Sequence, residues 1–329
     1  KWKASSIQRF PVLIFPVQKS PIRLHNKLDL KKMENIVAEK ILLDTDIGFD
    51  IDDAVCLAYL LSKPECKLMG ITTVTGEPEQ RARMASAMCR AAGQDIPIYP
   101  GTAVPLLVEP IQTTCPQAEA LTGMDYQAHF PTGEAIEFLR HTIRANPGEI
   151  TLLTIGPLTN AALLFRVDPE IPSLLKGWVG MGGLFTHRVA GLRSREYNML
   201  LDPHAAAVLY QTPLKMHRSI GIEVTSQVYL SEAEVRTRFH GTLLEITLQF
   251  SEIWFKMFDQ GITFHDPLAA AVIFDPDLCR FERGTVQVET ESTRLGGFTY
   301  WTAESNGPHE VAVSVDRERF FEEYFSVFR

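Results

Sequence analysis

The sequence is short of the features that mark secreted, thiol-based and membrane proteins. It has 5 cysteines in 329 residues, and they are spread without a CxxC pair or a metal-ligand spacing. An odd number of scattered cysteines argues against a disulfide framework and is typical of reduced thiols in a cytoplasmic protein. No apolar run reaches the roughly 18 residues that a membrane-spanning helix needs, so we expect no membrane partner.

Positive charge is also scarce. Lysine and arginine total 32 against 40 aspartates and glutamates, which gives a formal net charge of −8. An acidic chain without a basic patch is a poor match for nucleic acid, so we expect no nucleic-acid partner. The hydrophobic share of 45% and the charged share of 22% are those of an ordinary globular protein. The length suffices for one large α/β domain or two smaller ones.

The first 32 residues differ from the rest in charge. They contain eight basic residues and a single acid, Asp29, together with three prolines and no clear period. A basic, acid-poor segment is typical of a transit peptide, but the prolines favour a disordered extension or sequence ahead of a true start at Met33. We therefore predict an N-terminal extension over residues 1–40 and a catalytic domain over residues 41–329.

From residue 41 onward, short apolar runs that are typical of buried strands alternate with segments of helical period. This alternation predicts an α/β fold, with one mostly parallel central sheet flanked by helices and the site at the carboxyl ends of the strands. Strands are predicted over 41–43, 67–75, 96–99, 150–155, 178–181, 214–224, 284–290, 298–302 and 310–315. Helices are predicted over 54–61, 78–92, 132–145, 158–165, 203–210, 231–240, 242–260, 266–273 and 316–327. The loop-rich residues 101–131 are expected to form a lid or a wall over the site.

Negative charge is concentrated directly after the first predicted strand. Five aspartates lie within ten positions: Asp44, Asp46, Asp50, Asp52 and Asp53. Carboxylates this close repel one another strongly unless a cation neutralises them, and ligands that offer only oxygen favour Ca²⁺ or Mg²⁺. The alternative is a solvated acidic turn that caps the following helix. Its position at the end of a buried strand favours the cation site.

Three other polar groups lie at predicted strand ends or helix starts. They are residues 156–160, residues 181–183 with 196–203, and residues 263–267. Each has a purely structural alternative: Asp202 and Asp266 are also typical helix caps, the interpretation we favour for Asp202, and His265 is also typical of a packed histidine. Together they supply the additional oxygen donors that a hard cation needs from elsewhere in the chain.

These blocks, taken in order, resemble the inosine-uridine preferring nucleoside hydrolase family, and the likeness extends over residues 41 to 329. It rests on Asp44-Thr-Asp-Ile-Gly48 with Asp52-Asp53-Ala54, Gly70-Ile-Thr-Thr-Val-Thr-Gly76, Gly156-Pro-Leu-Thr-Asn160, Met181-Gly-Gly183, Glu196-Tyr-Asn198 with Asp202-Pro203, and His265-Asp-Pro267. Six blocks in the right order are a specific signal, whereas a lone DxDxG would be weak. The resemblance implies a Ca²⁺-dependent enzyme that hydrolyses a nucleoside to ribose and free base and serves purine or pyrimidine salvage.

The resemblance also assigns roles to residues. It implies Asp46, Asp53, Asp266 and the main-chain carbonyl of Ile155 as metal ligands, with Asp46 as the general base that activates a metal-bound water. It implies ribose contacts for Asp52, Glu196 and Asn198, and it implies that the carboxylate of Asp44 supports the acidic loop without contacting the metal. His265 resembles the residue that protonates the leaving base in some members. Family members are commonly homodimers or homotetramers, so an oligomer is expected.

The sequence departs from the family pattern at several positions. The acidic loop is two residues longer than the commonest form, with Phe49-Asp50-Ile51 in place of one residue, and this leaves Asp50 without a role. Glu77 and Ala190 stand where many members have ribose-binding Asn residues, and we place Glu77 among the substrate-binding residues. The usual His-Gly lid motif is not recognisable near residues 115–130.

The base pocket is predicted from two aromatic side chains. Trp254 and Phe258 lie one helical turn apart, just ahead of His265, and could wall the nucleobase. Aromatic residues at this spacing are also typical of a helix packed in the core.

Two alternative functions fit part of this pattern. A haloacid-dehalogenase-like Mg²⁺ phosphatase also begins with a strand and DxD, but it leaves the other five blocks unexplained. A non-catalytic nucleoside or sugar binder on the same fold would explain the altered positions 77 and 190. Retention of both Asp46 and Asp53 argues against the binder.

Overall fold

The acidic stretch follows an inner strand of a nine-stranded sheet, the third strand from one edge. A computed structural model describes residues 38–186 and 194–328. The strands, in chain order, are β1 (Glu39–Thr45), β2 (Cys66–Thr73), β3 (Ile98–Pro100), β4 (Ile150–Thr154), β5 (Gly177–Met181), β6 (His217–Ile220), β7 (Tyr229–Leu230), β8 (Ile262–Thr263), β9 (Cys279–Val288), β10 (Thr299–Ala303) and β11 (His309–Val315).

Helices cover both faces of this sheet. They are α1 (Asp52–Ser62), α2 (Pro78–Ala91), α3 (Ala135–Ala145), α4 (Thr159–Val167), α5 (Ile171–Leu174), α6 (Tyr197–Leu201), α7 (Pro203–Tyr210), α8 (Ile222–Thr225), α9 (Glu232–Arg238), α10 (Thr242–Phe258), α11 (His265–Phe274) and α12 (Arg317–Ser326). Short 3₁₀ helices span Pro116–Leu121 and Pro276–Leu278. None of the helices in the described ranges is long and apolar enough to cross a bilayer.

The strand order in the large sheet is β10-β9-β11-β6-β5-β4-β1-β2-β3. The strands from β11 to β3 pair in parallel, and only β9 runs against its two neighbours. A parallel pair needs a crossover, so each connection returns over a face of the sheet and leaves the carboxyl ends together at one edge. Asp44 pairs in register with Thr72 of β2 and Thr154 of β4, which sets the acidic loop at that edge.

The core has two parts because alternate residues of β1 point to opposite faces. Ile41 and Leu43 belong to the cluster that packs against α1, α2, α10, α11 and α12. Leu42 belongs to the second cluster, which packs against α3, α4 and α7. All three side chains are fully buried. A strand covered on both faces reads as a continuous apolar run, which is why the sequence locates β1 correctly. The predicted α/β fold is confirmed.

Several predicted boundaries need correction. The strand β1 begins at Glu39, two residues before the predicted domain boundary, while the prediction for residues 1–37 lies outside the described residues. The predicted strand over 214–224 is too long, because β6 ends at Ile220 and the apolar residues that follow form α8. A short apolar run fits a strand or a buried helical turn equally well.

Two histidines are buried between β6, β11 and α7. His217 and His309 are 2% and 3% exposed, and their ring centroids lie 4.5 Å apart. The imidazole Nε2 of His217 lies 3.2 Å from the carbonyl oxygen of Leu209, and its Nδ1 has no partner among the described residues. Burial, followed by the nearby His309, lowers the pKa of His217 to about 3.

This shifted pKa predicts a loss of stability in mild acid. Between about pH 6.5 and pH 3 the unfolded chain binds a proton at position 217 that the folded chain rejects, so the free energy of unfolding falls as pH falls. From pH 7 to pH 5, the wild type should lose about 2 kcal/mol more than His217→Gln. Urea titrations at both pH values measure the difference, with the exposed His240→Gln as control. Equal pH dependence in wild type and His217→Gln would contradict this assignment.

Candidate active site

A cavity of about 560 Å³ opens at the carboxyl ends of the parallel strands. Its wall is acidic on one side and aromatic on the other. The lining residues are Asp46, Phe49, Asp50, Asp52, Asp53, Gln112, Ile155, Met181, Arg195, Glu196, Tyr197, Asn198, Leu200, Ile222, Trp254, Phe258, Gln260, His265 and Asp266. They lie at the end of or within five separate connections of the nine-stranded sheet, so the fold brings together the blocks that the sequence separates.

Three carboxylates form the densest group in the cavity. Asp52, Asp53 and Asp266 are buried, and one oxygen of each lies within 4.8 Å of the others. Asp52 and Asp53 open α1, while the main-chain N–H of Asp266 donates to Asp52 Oδ2 at 3.2 Å. Burial, followed by repulsion from neighbouring carboxylates, raises the pKa of all three well above the usual range. An oxygen-only group held together against this repulsion fits a hard cation such as Ca²⁺.

Asp46 lies beside this group and is oriented separately. Its Oδ2 accepts a hydrogen bond of 3.0 Å from Gln112 Nε2. Gly156 makes room for the other oxygen, since an added Cβ there would lie 2.6 Å from Asp46 Oδ1. Burial raises the pKa of Asp46, and the positive charge of Arg81 partly opposes the rise.

Arg81 fixes the acidic loop through its main-chain carbonyl groups. This guanidinium is fully buried and donates to the main-chain carbonyls of Asp46 and of Ile47, the latter at 3.0 Å. It also donates to the carbonyls of Thr75 at 2.8 Å and Thr114 at 3.2 Å. The loop that carries the carboxylates is therefore fastened to two other loops through one side chain.

Asp44 is the next-to-last residue of β1, and Asp50 lies in the loop that follows this strand. Asp44 is fully buried outside the cavity, where Oδ1 accepts from Thr72 Oγ1 at 2.5 Å and Asn160 Nδ2 at 2.7 Å, and burial raises its pKa to about 7. Its proposed supporting role fits this place. Asp50 lines the cavity and accepts from the N–H of Ile51 at 2.7 Å, with a pKa raised by burial to about 6.

The predicted ribose-binding residues Glu196 and Asn198 also meet here. Glu196 begins α6, and its carboxylate accepts from the N–H groups of Gly183, Asn198 and Met199 at 2.8 to 3.1 Å. Asn198 Nδ2 donates to the carbonyl oxygen of Ile155 at 3.1 Å. Both residues are buried, since Glu196 is 3% and Asn198 is 7% exposed, so they do not belong to a solvated loop.

His265 enters the cavity from the start of α11. Its Nδ1 lies 2.6 Å from the hydroxyl oxygen of the buried Thr225, which leaves Nε2 as the ring atom available to a ligand. Burial lowers the pKa of His265 to about 4.

The aromatic wall is larger than predicted. Trp254 and Phe258 both line the cavity, with ring centroids 4.4 Å apart, although Trp254 is mostly buried and donates to the carbonyl of Gly261. Phe49, from the inserted residues of the acidic loop, packs 6.3 Å from Phe258 and 6.4 Å from Tyr197. The longer acidic loop thus adds an aromatic ring to the site.

Comparisons with known proteins show the family to which this chain belongs. The model of the family described as inosine-uridine preferring nucleoside hydrolase matches residues 41–322. The chain belongs to this family. Nucleoside hydrolases cleave the N-glycosidic bond of nucleosides, so the chain is an N-glycosyl hydrolase, and the phosphatase and non-catalytic alternatives are not supported.

Individual nucleoside hydrolases show how far the likeness extends. Uridine nucleosidase 1 of Arabidopsis thaliana is 30% identical over 314 residues, which cover 86% of this chain and 91% of that protein. The non-specific ribonucleoside hydrolase RihC of Escherichia coli is 32% identical over 286 residues, 84% of this chain and 93% of that protein. The solved purine-preferring ribonucleoside hydrolase from Gardnerella vaginalis has a TM-score of 0.74 and 26% identity, covering 88% of this chain and 98% of that one.

One predicted substrate contact of this nucleoside hydrolase needs correction. Glu77 is exposed and does not line the cavity; its carboxylate accepts from the main-chain N–H of Cys115 at 2.9 Å. It follows the tight turn at Thr75 and Gly76, both at positive φ. Ala190 lies outside the described residues.

Sequence reasoning missed several lining residues. Gln112, Arg195, Tyr197 and Gln260 belong to irregular or short segments without a period that would assign them a face. Tyr197 lies within the block Glu196-Tyr-Asn198, so the family resemblance was a signal that could have identified it. The local sequence around Gln112 contains no such signal, because the position of this residue depends on contacts with residues 75–81.

Proposed function

We propose that this chain is a Ca²⁺-dependent nucleoside hydrolase in which Asp46 is the general base. The observation that carries the proposal is the group of three buried carboxylates, Asp52, Asp53 and Asp266, beside Asp46 in one cavity. Buried like charges are stable together only when a cation or protons neutralise them.

Asp53 and Asp266 are the proposed metal ligands on which geometry and family resemblance agree. Asp46 and the carbonyl of Ile155 line the same cavity and are proposed to complete the set. Asp52, which the resemblance places on the ribose, stands within the carboxylate group, so we propose that it lies between the ion and the sugar. When bound, Ca²⁺ supplies Lewis acidity and a fixed attachment point for ribose hydroxyls.

In the proposed reaction, water attacks the sugar on one face while the nucleobase leaves from the other face. Asp46 accepts a proton from the attacking water as the new C–O bond forms at the anomeric carbon. The C–N bond breaks, its electron pair leaves with the nucleobase, and the nucleobase takes up a proton, which gives free nucleobase and ribose. Carboxylates around the ring stabilise the oxocarbenium-like transition state, and Glu196 and Asn198 are proposed to hold the ribose hydroxyls.

A reducing-sugar assay tests this function. Inosine, uridine, adenosine, cytidine and guanosine are each incubated with the purified chain, with and without excess chelator. We expect turnover of at least one nucleoside and loss of that turnover in chelator. No turnover of any of the five, or full turnover in chelator, would overturn the proposal. The panel also measures base preference, which the names of the relatives leave open since they include uridine, purine and non-specific enzymes.

His265 is proposed as the donor to the leaving base, through its Nε2. Purines and pyrimidines present different nitrogens to this donor, and a purine leaves more easily once N7 is protonated or hydrogen-bonded. His265→Ala should therefore lower kcat more for inosine than for uridine, by about 10²-fold for inosine. Thr225→Val, which removes the hydroxyl at Nδ1, should shift both substrates in the same direction by less. Equal losses on inosine and uridine would argue against this role.

A cytoplasmic location, a homodimer or homotetramer, and a part in purine or pyrimidine salvage stay predictions.

A further inference from the structure

Gln112 is a buried amide in the cavity with one end unpaired. It is 2% exposed, and its Nε2 donates to Asp46 Oδ2 at 3.0 Å. Its Oε1 is buried and has no hydrogen-bond partner within the described part of the chain. A buried acceptor without a partner is costly, so this oxygen has a strong preference for a donor.

Three contacts fix the segment that delivers this amide. Glu77 accepts from the N–H of Cys115 at 2.9 Å, and Arg81 donates to the carbonyl of Thr114 at 3.2 Å. Gly76 lies so near that an added Cβ would be 3.0 Å from the carbonyl oxygen of Gln112. The backbone at Gln112 and directly after it is therefore held, and the residue predicted to touch the ribose, Glu77, instead anchors the loop that carries Gln112.

The chemistry of the neighbours determines what the free oxygen can bind. A carboxylate accepts only, so the NH₂ end of Gln112 must face Asp46 and the oxygen end must face away. The carboxylates of Asp52, Asp53 and Asp266 line the same cavity and also accept when ionised, so they cannot supply the donor that Oε1 lacks. A nucleoside brings ribose hydroxyls, which are donors of the kind that this oxygen lacks.

We propose that Gln112 is a substrate-binding residue that bridges Asp46 and one ribose hydroxyl, in the place that Glu77 was predicted to fill. This inference rests on the proposed function. The Nε2 end orients the carboxylate of Asp46, and the Oε1 end accepts from the sugar, so one side chain aligns the general base with the ribose whose anomeric carbon the water attacks.

The test compares substrates that lack single hydroxyls. Turnover of the preferred ribonucleoside and of its 2′-deoxy and 3′-deoxy forms is measured for wild type, Gln112→Met and Gln112→Glu. Methionine removes both polar ends at similar length, while glutamate keeps an acceptor oxygen and loses the donor to Asp46. We expect Gln112→Met to lower kcat/KM for the ribonucleoside about tenfold more than for the deoxynucleoside that lacks the contacted hydroxyl.

Gln112→Glu should slow all three substrates and keep the wild-type ratio between them. Gln117→Met is the matched control: Gln117 is also buried, donates to the carbonyl of Phe49 at 3.0 Å and has an unpaired Oε1, but it does not line the cavity. It should leave the substrate ratios unchanged. The inference is overturned if Gln112→Met slows all three substrates by one factor, or if Gln112→Glu loses the discrimination. Absence of turnover in the wild type would instead refute the proposed function.

Discussion

Asp46→Asn is expected to lower kcat about a thousandfold, the size of effect that a general base contributes. Asparagine keeps the volume and one carbonyl oxygen, so the cavity and the contact with Gln112 can be retained in altered form. The amide cannot take a proton from water, and the chemical step is therefore lost while the melting temperature stays within a few degrees. Steady-state kinetics on the preferred nucleoside, together with a thermal melt, measure both quantities.

The control for this substitution is Asp50→Asn in the same loop. Asp50 lines the cavity, but its carboxylate accepts from the N–H of its own neighbour Ile51, and an asparagine Oδ1 can accept the same bond. We expect a loss of less than tenfold. A rate for Asp46→Asn close to that of Asp50→Asn would remove Asp46 as the base and leave the acidic loop with a binding role alone.

The acidic loop could be predicted because its signals are local. The run from Ile41 to Leu43 is buried on both faces of the sheet, and five aspartates follow it within ten positions. The strand period and the charge therefore identify both the element and its active edge. The roles within the loop were less accessible: Asp52 joins Asp53 and Asp266 in the closest carboxylate group, while Asp46 stands beside it with Gln112.

The opposite wall of the cavity depends on contacts that no local pattern encodes. Gln112 lies in a segment rich in proline and threonine, and its place is fixed by residues more than thirty positions earlier, among them Glu77 and Arg81. Phe49 shows the same limit. As an inserted residue in an acidic loop it had no predicted role, and it packs near Phe258 only because α10 returns to that edge of the sheet.

The two Asp-Pro helix starts illustrate why function could not be separated from capping by sequence alone. Asp202 accepts from the N–H of Ala205 at 3.0 Å, and it therefore caps α7 as predicted. Asp266 makes no such cap; it lies in the first turn of α11 with its carboxylate in the cavity. The dipeptide is the same, and the position of each helix relative to the sheet edge decides the role.

This pair provides the matched test of the metal site. Ca²⁺ that binds only the folded chain should stabilise it by about 2.7 kcal/mol at a hundred times the dissociation constant, which corresponds to about 5 °C in melting temperature. Chelator should remove that stabilisation and lower turnover at least a thousandfold, and Ca²⁺ should restore both more fully than Mg²⁺. Asp266→Asn should abolish the Ca²⁺-dependent shift, because the ion loses a charged ligand.

Asp202→Asn should melt lower than wild type, since it weakens a cap and the bonds from Thr159 and Leu106, yet keep the full shift on addition of Ca²⁺. The comparison separates loss of a buried carboxylate from loss of a metal ligand. Of these two aspartates, only Asp266 belongs to the three-carboxylate group. A Ca²⁺-dependent rise in melting temperature that survives in Asp266→Asn, or vanishes equally in Asp202→Asn, would therefore mean that the cation does not bind at this group.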